Sequence, residues 1–311
     1  MFETPIKLKD CLLSEAIGDI CGSPWEFAPY KQITLEGFRK SLEFDYKKEI
    51  PFDKTPLFEN FNVNRPNRLP HPPYATDDTI CTFALAEAVL NAEPGKENHH
   101  LKENLVKRCS QYINIGYGGM FRSWLLNPNR EPYNSYGNGS AMRVSIAGWY
   151  PDKISGFGDK IGVVELADST SNITHNHPQG IIGARAAAKA IFRARKGWSK
   201  DDVADGILED YPNDWRYMLW SDIIDSYKFD VTCQGTLPVV AMALKESHDF
   251  ESCIYKCVQS GGDSDTLGAI AGPIAYACYR EIPEWMLNLA YKYLPKWCLE
   301  VNEKFNKLNG F

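Results

Sequence analysis

Apolar residues return at helical spacing along most of the chain. Leu8, Cys11, Leu12, Ala16 and Ile17 mark a first helix over 8–20. The stretch 79–91 is rich in alanine and leucine and ends before Pro94. A longer helix is predicted over 177–196. Pro178 suits its first turn, alanines fill its middle, Arg193, Arg195 and Lys196 crowd its end, and Gly197 follows. Ser199 opens another, with Asp202 in the place of the capping-box glutamate. Further helices are predicted over 249–260, stopped by Gly261, and over 266–280 and 283–294. Period-two alternation is scarce, so the predicted fold class is all-α. Between 28 and 73 the pattern weakens and prolines gather at 51, 56, 66, 70, 72 and 73. That stretch reads as a long irregular excursion with one helix near 37–47, of the kind that is often functional. No solenoid repeat or low-complexity tract is present, and one domain over 1–311 is expected.

Composition narrows the class. The 311 residues are 44% hydrophobic and 13% aromatic, which excludes disorder over most of the length. With 34 basic against 40 acidic residues, the formal charge of −6 offers nothing to grip phosphates, so general nucleic-acid binding is not expected. The longest apolar run, 267–279, is broken by Pro273 and is too short to span a bilayer. Residues 1–10 are mixed and charged, with no signal-peptide core. A soluble, cytoplasmic chain without a membrane partner is the expectation. Nine cysteines, without a C-x-x-C pair, fit buried free thiols in a reducing compartment, and Cys253 and Cys257 share one helix face.

The chemistry gathers where helices start. Thr76-Asp77-Asp78-Thr79 suits a helix cap, with acidic residues favoured in a first turn. Two carboxylates between two hydroxyls are more than a cap needs, and their repulsion calls for a cation. Gly261-Gly262-Asp263-Ser264-Asp265-Thr266 repeats the pattern. It is no EF-hand, because Leu267 and Ile274 stand where that loop needs oxygen ligands. Neither cluster holds Cys or His, and all-oxygen sites select Mg²⁺, Mn²⁺ or Ca²⁺. If the two helix starts meet, Asp77, Asp78, Asp263 and Asp265 can hold a pair of ions. A ferritin-like di-iron site would need Glu-x-x-His, which is absent.

Four weaker elements accompany them. Gly18-Asp19-Ile20-Cys21-Gly22 leads to Glu26; Asp19 reads equally as solvated or bonded to a neighbouring helix, and Glu26 as a surface residue. Ser135-Tyr136-Gly137-Asn138-Gly139-Ser140-Ala141-Met142-Arg143 and Gly116-Tyr117-Gly118-Gly119 are flexible turns that let backbone approach a ligand. Neither is a dinucleotide fingerprint. Thr174-His175-Asn176-His177-Pro178 reads as a helix start with a satisfied histidine, since no partner motif supports zinc.

Together, in order, GDxxGxxxE (18–26), TDDT (76–79), GNGxAMR (137–143), THxHP (174–178) and GGDxDT (261–266) resemble the ADP-ribosylglycohydrolases, which include the dinitrogenase reductase-activating glycohydrolase and the ADP-ribosyl-acceptor hydrolases. The resemblance covers most of the chain. It implies a compact all-α fold with two Mg²⁺, or Mn²⁺, at the floor of a cleft. Thr76, Asp77 and Asp78 would bind one ion, and Asp263, Asp265 and Thr266 would complete the pair, with Asp265 as the bridge. The ions would orient the 2″ and 3″ hydroxyls of the distal ribose. Cleavage at C1″ would pass through an oxocarbenium-like state, with Glu26, Asp78 and Asp265 as the catalytic carboxylates and Glu26 nearest the bond. Gly116, Gly118, Gly119, Ser135, Tyr136, Gly137 and Asn138 would hold the diphosphate and adenosine side. Tyr136 or Tyr133 would stack on adenine, and His175 would line the cleft. Partners would be ADP-ribose and an ADP-ribosylated protein or small molecule. Thr-His-x-His-Pro resembles the arginine-directed members, and the placement of Glu26 the serine-directed ones, so arginine-, serine- and acetyl-linked acceptors all stay open. Two other readings stand beside this one: an inactive, crystallin-like relative that only binds or packs, and a two-metal nucleotide phosphoesterase. Release of free ADP-ribose, rather than AMP or phosphate, separates the last from the first.

Overall fold

From the N-terminus, the computed structural model describes residues 6–27, 33–43, 73–92, 97–150 and 162–311. Their helices are α1 (Leu13–Gly22), α2 (Leu35–Leu42), α3 (Asp77–Leu90), α4 (Glu97–Gln111), α5 (Gly119–Leu126), α6 (Gly139–Met142), α7 (Ser145–Trp149), α8 (Val163–Ser171), α9 (Pro178–Arg195), α10 (Lys200–Leu208), α11 (Trp220–Ser226), α12 (Cys233–Lys245), α13 (Phe250–Ser260), α14 (Ser264–Tyr279), α15 (Glu284–Tyr293) and α16 (Lys296–Asn309). There is no strand among the described residues; one isolated antiparallel bridge pairs Gly137 with Thr232. The fold is all-α.

Where caps were legible, the helices begin and end as the pattern predicts. His177 caps α9, its Nδ1 accepting from the Gln179 amide at 3.1 Å, with Pro178 in the first turn. The Ser199 hydroxyl accepts from the Asp202 amide at 3.1 Å ahead of α10. Asp249 accepts from the Ser252 amide at 2.7 Å ahead of α13, and Gly261 ends that helix at φ 72°. The helix expected near 37–47 is α2, which starts earlier behind the Thr34 cap. Residues 44–47, and the rest of the proline-rich excursion apart from 33–43 and Pro73, lie outside the described residues.

The first helix departs from its prediction. Rather than running from 8, α1 starts at Leu13, because Asp10 takes φ 56° and turns inward. Its amide donates to Asn306 Oδ1 at 2.8 Å, and its carboxylate accepts from Asn302 and Asn306 at 2.8 and 2.6 Å. Asp10 thereby ties the N-terminal segment to α16 instead of continuing a helix.

Every residue of α1 is buried, and α14 is buried along nearly its whole length. Helices without a polar face belong at the centre of a helical core, and these two pack on each other there. They meet backbone to backbone. A Cβ on Gly18 would overlap the carbonyl oxygen of Gly268, and one on Gly272 would overlap that of Ser14. Only glycine permits that approach. Around the pair stand α3, α9, α12, α13 and α15. One hydrophobic cluster runs through the whole set. All nine cysteines are free and eight are buried; Cys278 is partly exposed. No helix of the described residues is long and apolar enough to cross a membrane.

Candidate functional site

The start of α3 is built by two chains of hydrogen bonds. Thr76 is its cap and accepts from the Asp78 amide at 3.3 Å. Asp19, on the buried α1, reaches across and accepts from the amides of Thr76 (2.8 Å) and Thr79 (3.2 Å) and from the Thr79 hydroxyl. Of the two sequence readings for Asp19, the bond to a neighbouring helix is the one formed. Its other oxygen, Oδ1, is buried without a hydrogen-bond partner among the described residues.

The start of α14 lies opposite. Gly261 and Gly262, at φ 72° and 75°, turn the chain sharply from α13 into Asp263. Asp265 Oδ1 accepts from the Thr266 amide at 2.9 Å, and the Thr266 hydroxyl donates to Asp78 Oδ2 at 3.0 Å. The two motifs therefore touch. Carboxylate oxygens of Asp19, Asp78 and Asp265 lie within 4.8 Å of one another, and so do those of Glu26, Asp263 and Asp265. Asp265 belongs to both groups. Asp77, half-buried at the first position of α3, belongs to neither.

Burial is the first cause of the electrostatics here. It pushes the Asp19 carboxyl up to about 6 and that of Asp77 to about 7. Asp78, Asp265 and Glu26 stand well above the usual carboxylate range, through burial first and then mutual repulsion; Asp263 is raised less. Among the described residues, no Lys or Arg forms an ion pair with any of these six. Glu15, one turn before Asp19, is also fully buried, and neither of its carboxylate oxygens has a hydrogen-bond partner among the described residues. It lies outside every motif singled out in the sequence. Its signal was a carboxylate four residues before Asp19, on the same face of an apolar helix. Buried, oxygen-only and unneutralised, this donor set fits hard divalent cations.

The glycine turns are placed differently from one another. Asn138 is buried, and its side-chain nitrogen donates to Asp263 Oδ2 at 2.6 Å and to Thr236 Oγ1 at 3.0 Å. Both of its hydrogens are thus committed inside the protein, and it braces a carboxylate rather than offering its amide donors outward. Its own backbone is held by Val231 (2.8 Å), beside the Gly137–Thr232 bridge. That support from the segment before α12 was not legible in either motif. Tyr136 is exposed, 5.2 Å from the His177 ring, and Tyr133 lies 5.9 Å from His175. The Ser135 hydroxyl accepts from the Gly137 amide at 3.1 Å. Asn138 thus reaches Asp263, while Gly137 lies beside Ser135 and His175. Gly116 takes φ 120°, and Gly118 and Gly119 are exposed at the start of α5, with open space around them. On α5, the Phe121 ring lies 6.0 Å from the Arg143 guanidinium.

The family model for ADP-ribosylglycohydrolase matches residues 4–309. The chain is 26% identical to the ADP-ribosyl-[dinitrogen reductase] glycohydrolase of Rhodospirillum rubrum, over 71% of this chain and 75% of that protein. It is 24% identical to the ADP-ribosylhydrolase ARH3 of Xenopus tropicalis, over 97% of this chain and 95% of that protein. An uncharacterised protein of Archaeoglobus fulgidus is 27% identical over 91% of both. A solved ADP-ribosylglycohydrolase-related protein complex shares the fold, with a TM-score of 0.62 at 20% identity over 96% of this chain and 95% of that one. The chain belongs to the ADP-ribosylglycohydrolase family.

Proposed function

We propose that this chain is a hydrolase that cleaves the C1″ linkage between ADP-ribose and an acceptor, at a site that takes a pair of divalent cations, Mg²⁺ or Mn²⁺. The observation that carries it is Asp265, shared by two groups of buried or half-buried carboxylates. Thr76, Asp77 and Asp78 on one side, and Asp263, Asp265 and Thr266 on the other, would hold the cations. Such ions supply fixed positive charge for the ribose hydroxyls and for charge that develops in the transition state. Asp19 holds the start of α3 in place by three hydrogen bonds, which keeps Asp78 turned towards Asp265. Asn138 does the same for Asp263. Glu26, half-buried at the edge of the second group and raised well above the carboxylate range, is suited to hold a water at C1″ and to take its proton. Tyr136 offers an exposed ring for the adenine, and the turns at 116–119 and 135–138 offer backbone to the diphosphate.

The test is incubation with arginine-linked and serine-linked ADP-ribosyl peptides, with Mg²⁺ and with chelator. Release of free ADP-ribose that needs the cation is expected from at least one. Release of AMP or phosphate instead would make the chain a phosphoesterase. Binding of ADP-ribose without turnover of any linkage would make it a non-enzymatic member.

A further inference from the structure

Just past Asn138 the chain runs against the edge of a histidine. A Cβ at Gly139 would lie 3.1 Å from His175 Nε2 and 3.2 Å from Cε1, and one at Gly137 would lie 3.6 Å from Nε2. No hydrogen bond of Nε2 is formed with the described residues. The other nitrogen is held from behind, with the Thr174 hydroxyl 2.7 Å from Nδ1.

That hydroxyl has one hydrogen and two lone pairs. Arg143, buried at 1% exposure, donates to it from Nη2 at 2.6 Å and to the Thr170 carbonyl at 3.2 Å. A guanidinium only donates, so the Thr174 oxygen accepts in that bond. Among the described residues Nδ1 is the one acceptor bonded to that hydroxyl, and a second donor there would leave its hydrogen buried and unused, so the hydroxyl hydrogen goes to Nδ1. A nitrogen that accepts carries no proton. Burial, and then the charge of Arg143, hold the ring neutral by pushing it well below the usual histidine range. The single ring proton then sits on Nε2.

We infer that Arg143 and Thr174 are positioning residues that lock His175 in the Nε2-protonated tautomer, so that the site presents a fixed neutral hydrogen-bond donor to an oxygen of the bound nucleotide sugar, and not a proton-transferring base. The other tautomer would aim a lone pair at that oxygen and repel it. The ligand in this statement rests on the function proposed above; the tautomer does not.

The test is ¹⁵N NMR of the full-length, histidine-labelled protein at neutral pH, with the His175 signals assigned by their loss in His175→Gln. A pyridine-like Nδ1 and a pyrrole-like Nε2 are expected in the wild type. Thr174→Val should mix or reverse the tautomers and weaken ADP-ribose binding by calorimetry about tenfold, the scale of one hydrogen bond to a charged group. Thr174→Ser, which keeps the hydroxyl, should restore both. A pyrrole-like Nδ1 in the wild type overturns the inference, as does a wild-type tautomer in folded Thr174→Val. Should Thr174→Val not fold, the wild-type spectrum and its retention in Thr174→Ser still decide. Failure of the wild type to bind ADP-ribose, with the tautomer as expected, overturns the ligand and the proposed function while leaving the lock in place.

Discussion

Glu26 and Asp78 carry the same charge in one basin and are expected to fail differently. Glu26→Gln keeps the shape and leaves Asp78, Asp263 and Asp265 intact. Cation and ADP-ribose affinity should survive while turnover falls by a factor on the order of 10² or more, the scale of a lost general base. Asp78→Asn removes a carboxylate that also receives the Thr266 hydroxyl. Cation and ADP-ribose affinity should then fall together, by about tenfold or more. Calorimetry beside a release assay on both variants separates the roles, and near-wild-type turnover in Glu26→Gln would remove it from the mechanism. The raised carboxyls also set a pH dependence. Asp19 and Asp77 move from 3.8 up to about 6 and about 7, so the folded, cation-free chain binds more protons than the unfolded one across that interval. Stability from these groups is complete below about 3.8 and is lost as pH rises through about 7. Melts in chelator should show a temperature that falls across this window, and saturating Mg²⁺ should remove the fall. A flat profile in chelator would reject the burial of these charges.

Helix ends carried most of what the sequence could say. Ser199, Asp249, Pro178 and Gly261 work within three residues of themselves, so their effect is readable from local order alone. The acidic motifs were readable for the same reason: each sits at a helix start. What was hidden depends on partners far along the chain. Asp10 breaks the first helix because of Asn302 and Asn306. Asn138 turns inward because of Asp263 and Thr236. Glu15 was hidden because its lack of partners exists only once α1 is enclosed. The contact between α1 and α14 is of the same kind and makes a testable case. In Gly268→Ala the new methyl meets the Gly18 carbonyl, a main-chain atom that cannot rotate away. A loss of about 1–3 kcal/mol is expected by overpacking, with weaker cation binding as Asp265 shifts from Asp19. Gly119→Ala, which points into open space, should melt like the wild type. Equal melting of the two variants would sink the argument.

At the scale of the whole molecule, the core closes around carboxylates that repel one another, so the native state is the one a cation should select. Binding to the native state alone raises stability by mass action, by about 2.7 kcal/mol at a hundredfold excess over Kd. Added Mg²⁺ or Mn²⁺ should raise the melting temperature by a few degrees, and Asp265→Ala should lose most of the response. An undiminished response in that variant would reject Asp265 as the shared ligand. The same measurement, run with different ions, bears on the two central helices. Where main chains touch there is no layer of side chains to swell or compress. The distance from Asp19 on one helix to Asp265 on the other is then set by peptide geometry, and the gap works as a gauge of ionic radius. Ca²⁺, with oxygen distances of about 2.3–2.6 Å, asks for a wider gap than Mg²⁺, at about 2.0–2.1 Å. Calcium should therefore stabilise the chain less than magnesium at equal concentration. The two missing methyls at Gly18 and Gly268 would be what tells the ions apart.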